Sequence, residues 1–129
     1  MSTLKVTNIQ ATGEAASRAV SGVAAAWLQF NQTTPAITGS LNISSVSDDS
    51  AAIYTPSLTN AVSSTSNYVI VGISNHNSGN SEPRMMNLRH DEGGSFTTSA
   101  HTLATPNGGN ATTYSDMKFN MSLVHGDLA

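Results

Sequence analysis

An all-β fold, an antiparallel β-sandwich of jelly-roll or immunoglobulin-like type, is predicted by three features of the sequence. Short apolar runs alternate with polar residues, which is the period of a half-buried strand. Gly, Pro and Asn separate these runs, and no long segment carries large apolar residues at helical spacing. Only 10% of the 129 residues are charged, against roughly 25% in an average soluble domain. We therefore expect a structural or binding protein rather than an enzyme.

The first 26 residues differ from the rest because they hold small residues and no aromatic side chain. Leu4, Val6 and Ile9 indicate one short extended stretch, and the Ala-rich stretch that follows is compatible with helix or coil. Such a segment buries too little apolar surface to stay ordered alone, so we expect it to dock on another chain. The predicted domains are an assembly segment, residues 1–26, and a β-sandwich domain, residues 27–129.

The first half of the β-sandwich domain is predicted to hold four strands. Pro56 lacks the backbone donor of a strand ladder, so its strand is predicted to be an edge strand or to carry a bulge. The run 68–73 is the most apolar of the four, and we expect a central strand buried on both faces. The predicted strands are 27–30, ended by a polar turn at 31–35, then 41–46, ended by a turn at 47–50, then 53–58 and 68–73.

For the second half of the β-sandwich domain, the sequence predicts a polar loop at 74–83, a strand at 84–89, a turn at 91–94, a weak strand at 96–103 and a turn at 105–110. The last run, 116–124, alternates well, which predicts a half-buried strand. One of its faces carries Met117, Phe119, Met121 and Leu123, and the other carries Lys118, Asn120 and Ser122.

Large apolar side chains are scarce, since aromatic residues make up only 5% of the chain. Each buried Val, Leu, Ile, Phe or Met contributes roughly 1.5–3 kcal/mol, so the core of a single copy is predicted to be thin. Association of several copies supplies further burial. The residues expected in the core or at a subunit interface are Trp27, Phe30, Met117, Phe119, Met121 and Leu123.

No catalytic, metal or cofactor site is predicted. The acidic pair Asp48 and Asp49 has few oxygen ligands beside it for Ca²⁺, and a turn is the favoured interpretation there and at 91–94. The four histidines lack a metal-binding spacing, with one histidine repeated on a threefold axis as the alternative. The net charge of −3 and the lack of a basic stripe argue against nucleic-acid binding. No apolar run is long enough to insert into a membrane.

Several short motifs follow one another along most of the chain. They are Met-Ser-Thr-Leu-Lys-Val at 1–6, Trp27-x-x-Phe30-Asn31, Leu-Asn-Ile-Ser-Ser-Val at 41–46, the acidic pair at 48–49, Tyr54-Thr55 through Leu58-Thr59, Asn-Tyr-Val-Ile-Val-Gly at 67–72, and a last strand that runs into Val124-His125-Gly126-Asp127. In this order they resemble the fibre and minor structural proteins of tailed bacteriophages. Residues 75–111 fall outside the resemblance, and Pro56 stands where a β-branched residue is expected.

The resemblance implies a virion protein that is assembled in the host cytoplasm. It implies that the chain forms a homotrimer and that this trimer binds other phage virion proteins. It implies a short fibre or appendage, attached to capsid or tail through a segment that includes Leu4, Val6 and Ile9, with the β domain projecting outward. One alternative is a capsid decoration protein. Another is an adhesin that binds host surface glycans through amide-rich loops. The loop residues for that alternative are Asn75, Asn77, Asn80, Asn107 and Asn110.

Overall fold

The computed structural model describes residues 6, 8–9, 18–19, 24–66, 68–75, 84–89, 94–105 and 115–129. This part of the chain is all-β, as predicted. Its strands, in chain order, are β1 (Asn8–Ile9), β2 (Arg18–Ala19), β3 (Ala24–Asn31), β4 (Ala36–Leu41), β5 (Ile43–Ser50), β6 (Ile53–Leu58), β7 (Tyr68–Asn75), β8 (Arg84–Met85), β9 (Asn87–Arg89), β10 (Thr102–Ala104) and β11 (Phe119–Gly126).

The strands form two main antiparallel sheets. The five-stranded sheet has the order β4-β3-β11-β7-β8, and the four-stranded sheet has the order β5-β6-β10-β9. β1 and β2 pair with each other in a separate two-stranded ladder. Phe30 of the first sheet and Tyr54 of the second meet with ring centroids 5.2 Å apart. Two antiparallel sheets that share a core are consistent with the predicted β-sandwich.

Alternation within β3, β6 and β11 places alternate side chains between the sheets. In β3, for example, Ala26, Leu28 and Phe30 are buried, whereas Trp27 is exposed. Polar side chains complete the interior. The buried apolar residues form two clusters, Leu28, Phe30, Tyr54 and Leu103 in one, and Ala25, Ala26, Leu58, Val62, Tyr68 and Val124 in the other.

A single residue, Asn42, carries the chain from one sheet to the other. It follows β4 directly and precedes β5, and its φ of 57° lies in the left-handed region. Its side-chain amide donates to the carbonyls of Ala25 at 3.1 Å and Asn60 at 3.0 Å. Its side-chain oxygen accepts from the Asn60 backbone N–H at 2.8 Å. Asn tolerates this conformation better than most residues, and its hydrogen bonds join both sheets at the crossing.

The turn predicted at residues 47–50 is wrong, because these residues are the end of β5 and the chain turns at 51–52 instead. Asp48 accepts a hydrogen bond from the Gln32 amide at 2.9 Å. Asp49 accepts hydrogen bonds from two nearby hydroxyl groups. Gln32 is distant in sequence and Thr55, one of the two hydroxyl donors, lies on the next strand. These partners hold in a strand two acids whose local preference is a turn.

The prediction that Pro56 lies in an edge strand is also wrong, since β6 runs between β5 and β10. The ladder to β10 pairs Tyr54 with Leu103, and beyond it the pairing continues only as an isolated bridge between Ser57 and Ala100. Between these two pairs, the Pro56 carbonyl accepts from the His101 N–H at 3.3 Å. The ring nitrogen of Pro56 carries no hydrogen, so this residue accepts a hydrogen bond from the neighbouring segment but cannot donate one. The register shifts between β5 and β6 fall at 43–45 and 48–50, so no bulge sits at the proline.

β7 is a strand, as predicted, but it is not buried on both faces. Tyr68 and Ser74 are buried, whereas Val69, Val71 and Ile73 are exposed. The strand lies between β11 and β8; it pairs with β11 along its whole length and with β8 only at Ile73 and Ser74. One face of the sheet points away from the core and carries Val69, Val71 and Ile73, whereas Tyr68 and Ile70 pack against the core.

The remaining strand and loop predictions agree with the structure only in part. The strand at Ala36–Leu41 was not predicted, and β3 begins at Ala24, inside the predicted assembly segment. The predicted strand at 84–89 forms β8 and β9, and only Thr102 and Leu103 of the weak strand at 96–103 belong to a ladder strand, β10. Ser74 and Asn75 of the predicted loop belong to β7. The rest of that loop, most of the turn at 91–94 and residues 106–110 lie outside the described residues.

Candidate functional site

The outer face of the five-stranded sheet carries large apolar side chains in register. In one row across the sheet, Trp27 lies opposite Leu41 on one side and Leu123 on the other, and Leu123 lies opposite Val71. In the next row, Gln29 pairs with Met121, and Met121 pairs with Ile73. Opposed residues on one face of a sheet contact each other. We call this surface the apolar face; it comprises Trp27, Leu41, Val69, Val71, Ile73, Phe119, Met121 and Leu123.

The apolar face is open to solvent in the single chain. Ile73 is 67% exposed, Val69 63% and Trp27 39%. Leu41, Val71, Phe119 and Met121 are also exposed, and Leu123, on the central strand, is partly buried. Single exposed apolar residues are common, but a contiguous set of this kind marks an interaction surface.

Along β11, polar side chains alternate with the apolar ones of this face and point inward. Asn120 and Ser122 of β11 are buried, and the Asn120 side-chain amide donates to the Met117 carbonyl at 3.0 Å. The predicted strand at 116–124 begins only at Phe119 and alternates from there, with Phe119, Met121 and Leu123 facing away from the core. Met117, predicted on the same face, precedes the strand and is buried. Protein interiors are close-packed, so the size of each inward side chain must fit the space between the sheets. Asn120 and Ser122 are small enough to leave room for side chains of the opposite sheet.

A depression of about 450 Å³ lies in the middle of the apolar face. Met121 and Leu123 of β11 form its floor, Trp27 stands on one side, and Val71 and Ile73 stand on the other. The lining offers large apolar side chains and few polar groups. A depression of this chemistry accepts an apolar side chain and not a charged one.

The six residues predicted for the core or an interface divide between these two places. Phe30 and Met117 are buried in the core. The other four, Trp27, Phe119, Met121 and Leu123, lie on the apolar face. Sequence reasoning missed Val69, Val71 and Ile73 as surface residues, although the intervening Gly72 and Ser74 were a signal that this strand alternates.

Other predicted positions are less informative. Val6 is 44% exposed, Ile9 lies in β1, and Leu4 lies outside the described residues. Asn75 is exposed at the end of β7. Asn77, Asn80, Asn107 and Asn110 lie outside the described residues, as do His76 and His90. The proposed glycan-facing loops therefore rest on the sequence.

A second, polar groove of about 410 Å³ lies on the four-stranded sheet, where Asp49, Thr55, Arg89 and Thr102 are among its lining residues. Both carboxylate oxygens of Asp49 accept hydroxyl hydrogen bonds, one from Ser47 and one from Thr55. The Thr55 and Thr102 hydroxyls are 2.8 Å apart. The side chains of Ser47, Asp49, Thr55 and Thr102 thus find hydrogen-bond partners in one another.

The described residues contain no group of three or more His, Cys, Asp or Glu side chains placed to hold a metal ion. His101 is buried at 1% exposure, and burial lowers the pKa of its imidazole to about 4. Burial also raises the pKa of the Tyr54 and Tyr68 phenols. Within the same described ranges, no helix is long and apolar enough to cross a membrane.

Comparison with known protein families, with curated proteins and with solved structures gives no match for this chain.

Proposed function

We propose that this chain is a structural protein of a bacteriophage virion, a short homotrimeric fibre or appendage attached to capsid or tail by its N-terminal segment. The observation that supports an assembling protein is the apolar face. A free-standing domain rarely exposes so large a contiguous apolar surface, because burying it is favourable by about 25 cal/mol per Å². The phage setting rests on the order of motifs along the sequence.

The composition supports a role on the outside of a particle. With 10% charged residues, the protein depends little on surface ion pairs, which salt screens. The chain is rich in Ser, Thr and Asn, whose hydroxyl and amide groups are uncharged and therefore not subject to screening by salt. In this proposal the function is mechanical: copies associate through buried apolar area, and the β domains project outward.

The attachment role is tested in the full chain by replacing Leu4, Val6 and Ile9 together with Asp. We expect the variant to fold and associate normally and to be missing from purified virions, because three carboxylates oppose apolar docking. The matched control replaces three exposed loop residues outside the segment, Thr59, Ser63 and Ser66, with Asp. Incorporation of the N-terminal variant at the wild-type level would show that attachment lies elsewhere.

A further inference from the structure

We infer that the apolar face is covered by the apolar face of a second copy of this chain. The inference rests on the proposed function only in taking the chain to act as an assembled protein, and it names the surface and the partner. The same face could meet a lipid surface or an unrelated virion protein, so the choice of occupant needs separate arguments. Three come from the area, the charge and the shape of the face.

The area matches what a stable contact between two proteins needs. A large aromatic side chain offers roughly 150–250 Å² and a branched aliphatic one somewhat less, and seven side chains here are exposed by about two fifths or more. The face thus presents on the order of 600–700 Å² of apolar surface, beyond the roughly 300–600 Å² of the largest patch on a typical monomer. A standard interface uses about 800 Å² per partner.

The charge of the sheet favours an identical partner. The four strands β3, β4, β7 and β11, which carry the apolar face, contain no Asp, Glu, Lys or Arg, and the fifth strand of the sheet, β8, contains Arg84. Two copies of an uncharged face meet without like-charge repulsion, which otherwise prevents self-association. Nothing on these four strands attracts an anionic headgroup or phosphate, which basic clusters recruit. Lys118 stands at the rim, with its ammonium 5.5 Å from the Phe119 ring centroid.

The shape of the face is complementary to itself. It holds a depression of about 450 Å³, and beside the depression it holds projecting side chains, of which Ile73 is the most exposed. In the proposed homotrimer each copy offers a projection to one neighbour and a recess to the other, so the three faces satisfy one another around the axis. Ile73 or Trp27 of one copy is of a size and polarity to enter the recess of the next.

The test compares Val71→Asp with Leu88→Asp in the full chain. Both residues are exposed, large and apolar, but Leu88 lies on β9 of the other sheet. By sedimentation velocity at micromolar concentration we expect wild type and Leu88→Asp to be associated, and Val71→Asp to sediment as a monomer with an unchanged circular dichroism spectrum. A buried unpaired carboxylate weakens association by about hundredfold or more.

Two readouts locate the contact independently of substitution by charge. Trp27 is the only tryptophan, so its emission should be blue-shifted and shielded from acrylamide in the associated protein and red-shifted in Val71→Asp. The chain has no cysteine, so Val71→Cys provides a single thiol. We expect a short bismaleimide to convert Val71→Cys to covalent dimers and to leave Leu88→Cys monomeric in denaturing gels.

The outcomes separate this inference from the proposed function. An associated wild type that Val71→Asp does not dissociate overturns the inference, while the virion role stands. A monomeric wild type that floats with neutral phosphatidylcholine vesicles assigns the face to lipid and also overturns it. Association through the apolar face in a protein absent from virions supports the inference and contradicts the proposed function.

Discussion

The indole of Trp27 lies against the backbone of Gly39 on the neighbouring strand. A Cβ atom at position 39 would stand 3.1 Å from Cζ3 and 3.2 Å from Cη2 of the indole, inside the usual contact distance of about 3.5–4.0 Å between carbon atoms. Gly39 pairs with Gln29, and Trp27 pairs with Leu41, so the ring reaches diagonally across the two strands. Gly39 therefore sets the position of the indole on the apolar face.

Replacing Gly39 with Ala is predicted to affect association more than folding. The added methyl displaces the indole by a few tenths of an ångström, and the indole can move because its outer side is open. We expect the free energy of unfolding of the monomer, measured in the Val71→Asp background, to change by less than about 1 kcal/mol. Self-association should weaken by about tenfold, and the Trp27 emission maximum should shift. Unaltered association would show that the position of the indole is unimportant.

The same change at Gly72 is predicted to be harmful to the fold. A Cβ there would stand 2.8 Å from the carbonyl oxygen of Met121 and would also meet the sulfur of Met86. A backbone oxygen of the central strand cannot yield as an exposed ring can, so overpacking should cost about 1–3 kcal/mol. Chemical denaturation of Gly72→Ala and Gly39→Ala side by side measures the difference. Equal losses would contradict this account of the two glycines.

The fold class was predictable because alternation and turn residues are local signals. The strands around residues 53–58, 68–73 and 116–124 could be placed from them. β4 could not, since Ala36 and Gly39 carry little strand preference and are held in a strand by pairing with β3. Asp48 likewise depends on Gln32, which is 16 residues away in sequence. Such tertiary partners are invisible in a local pattern.

The candidate site was predictable in part. Alternation shows which residues share a face, but not which face meets the core. In β11 the large side chains point outward because Asn120 and Ser122 fit between the sheets, where Asn120 has a backbone partner in Met117. In β7 the inward Gly72 accommodates Met86. Both choices are set by what packs opposite, so the sequence indicated Trp27 and Met121 as interface or core without deciding between them.

Substitutions at Asn42 should separate its conformation from its hydrogen bonds. Asn42→Gly keeps access to a φ of 57° but loses the bonds to Ala25 and Asn60, which should cost about 1–2 kcal/mol. Asn42→Ala loses the same bonds and must also adopt the left-handed conformation with a Cβ atom, which should lower the stability by about 1–2 kcal/mol more. The melting temperature at fixed protein concentration should therefore be highest for wild type, lower for Asn42→Gly and lowest for Asn42→Ala. If Ala were as stable as Gly, the backbone at residue 42 would have to be relaxed.

The protein is predicted to lose stability in mild acid because of His101. Its ring centroid lies 6.4 Å from that of Tyr68, and within the described chain neither imidazole nitrogen has a hydrogen-bond partner. Burial disfavours the charged form and lowers the pKa from 6.5 to about 4. The unfolded chain binds the proton first, so the stabilisation is complete above the unfolded pKa of 6.5 and is lost as the pH falls towards 4. The full loss is on the order of 3 kcal/mol.

His101→Leu should remove this pH dependence. At about pH 8, where the histidine is neutral, we expect the variant to be as stable as wild type or slightly more so, because two buried nitrogens without partners are removed. Urea denaturation at fixed protein concentration should then show wild type falling below the variant as the pH drops from about 6.5 to 4. Leu103→Met, a conservative change two residues along, should keep the wild-type profile. Carboxylates titrate mainly near pH 4, so a parallel decline of wild type and His101→Leu between about pH 6.5 and 5 would show that another group causes it.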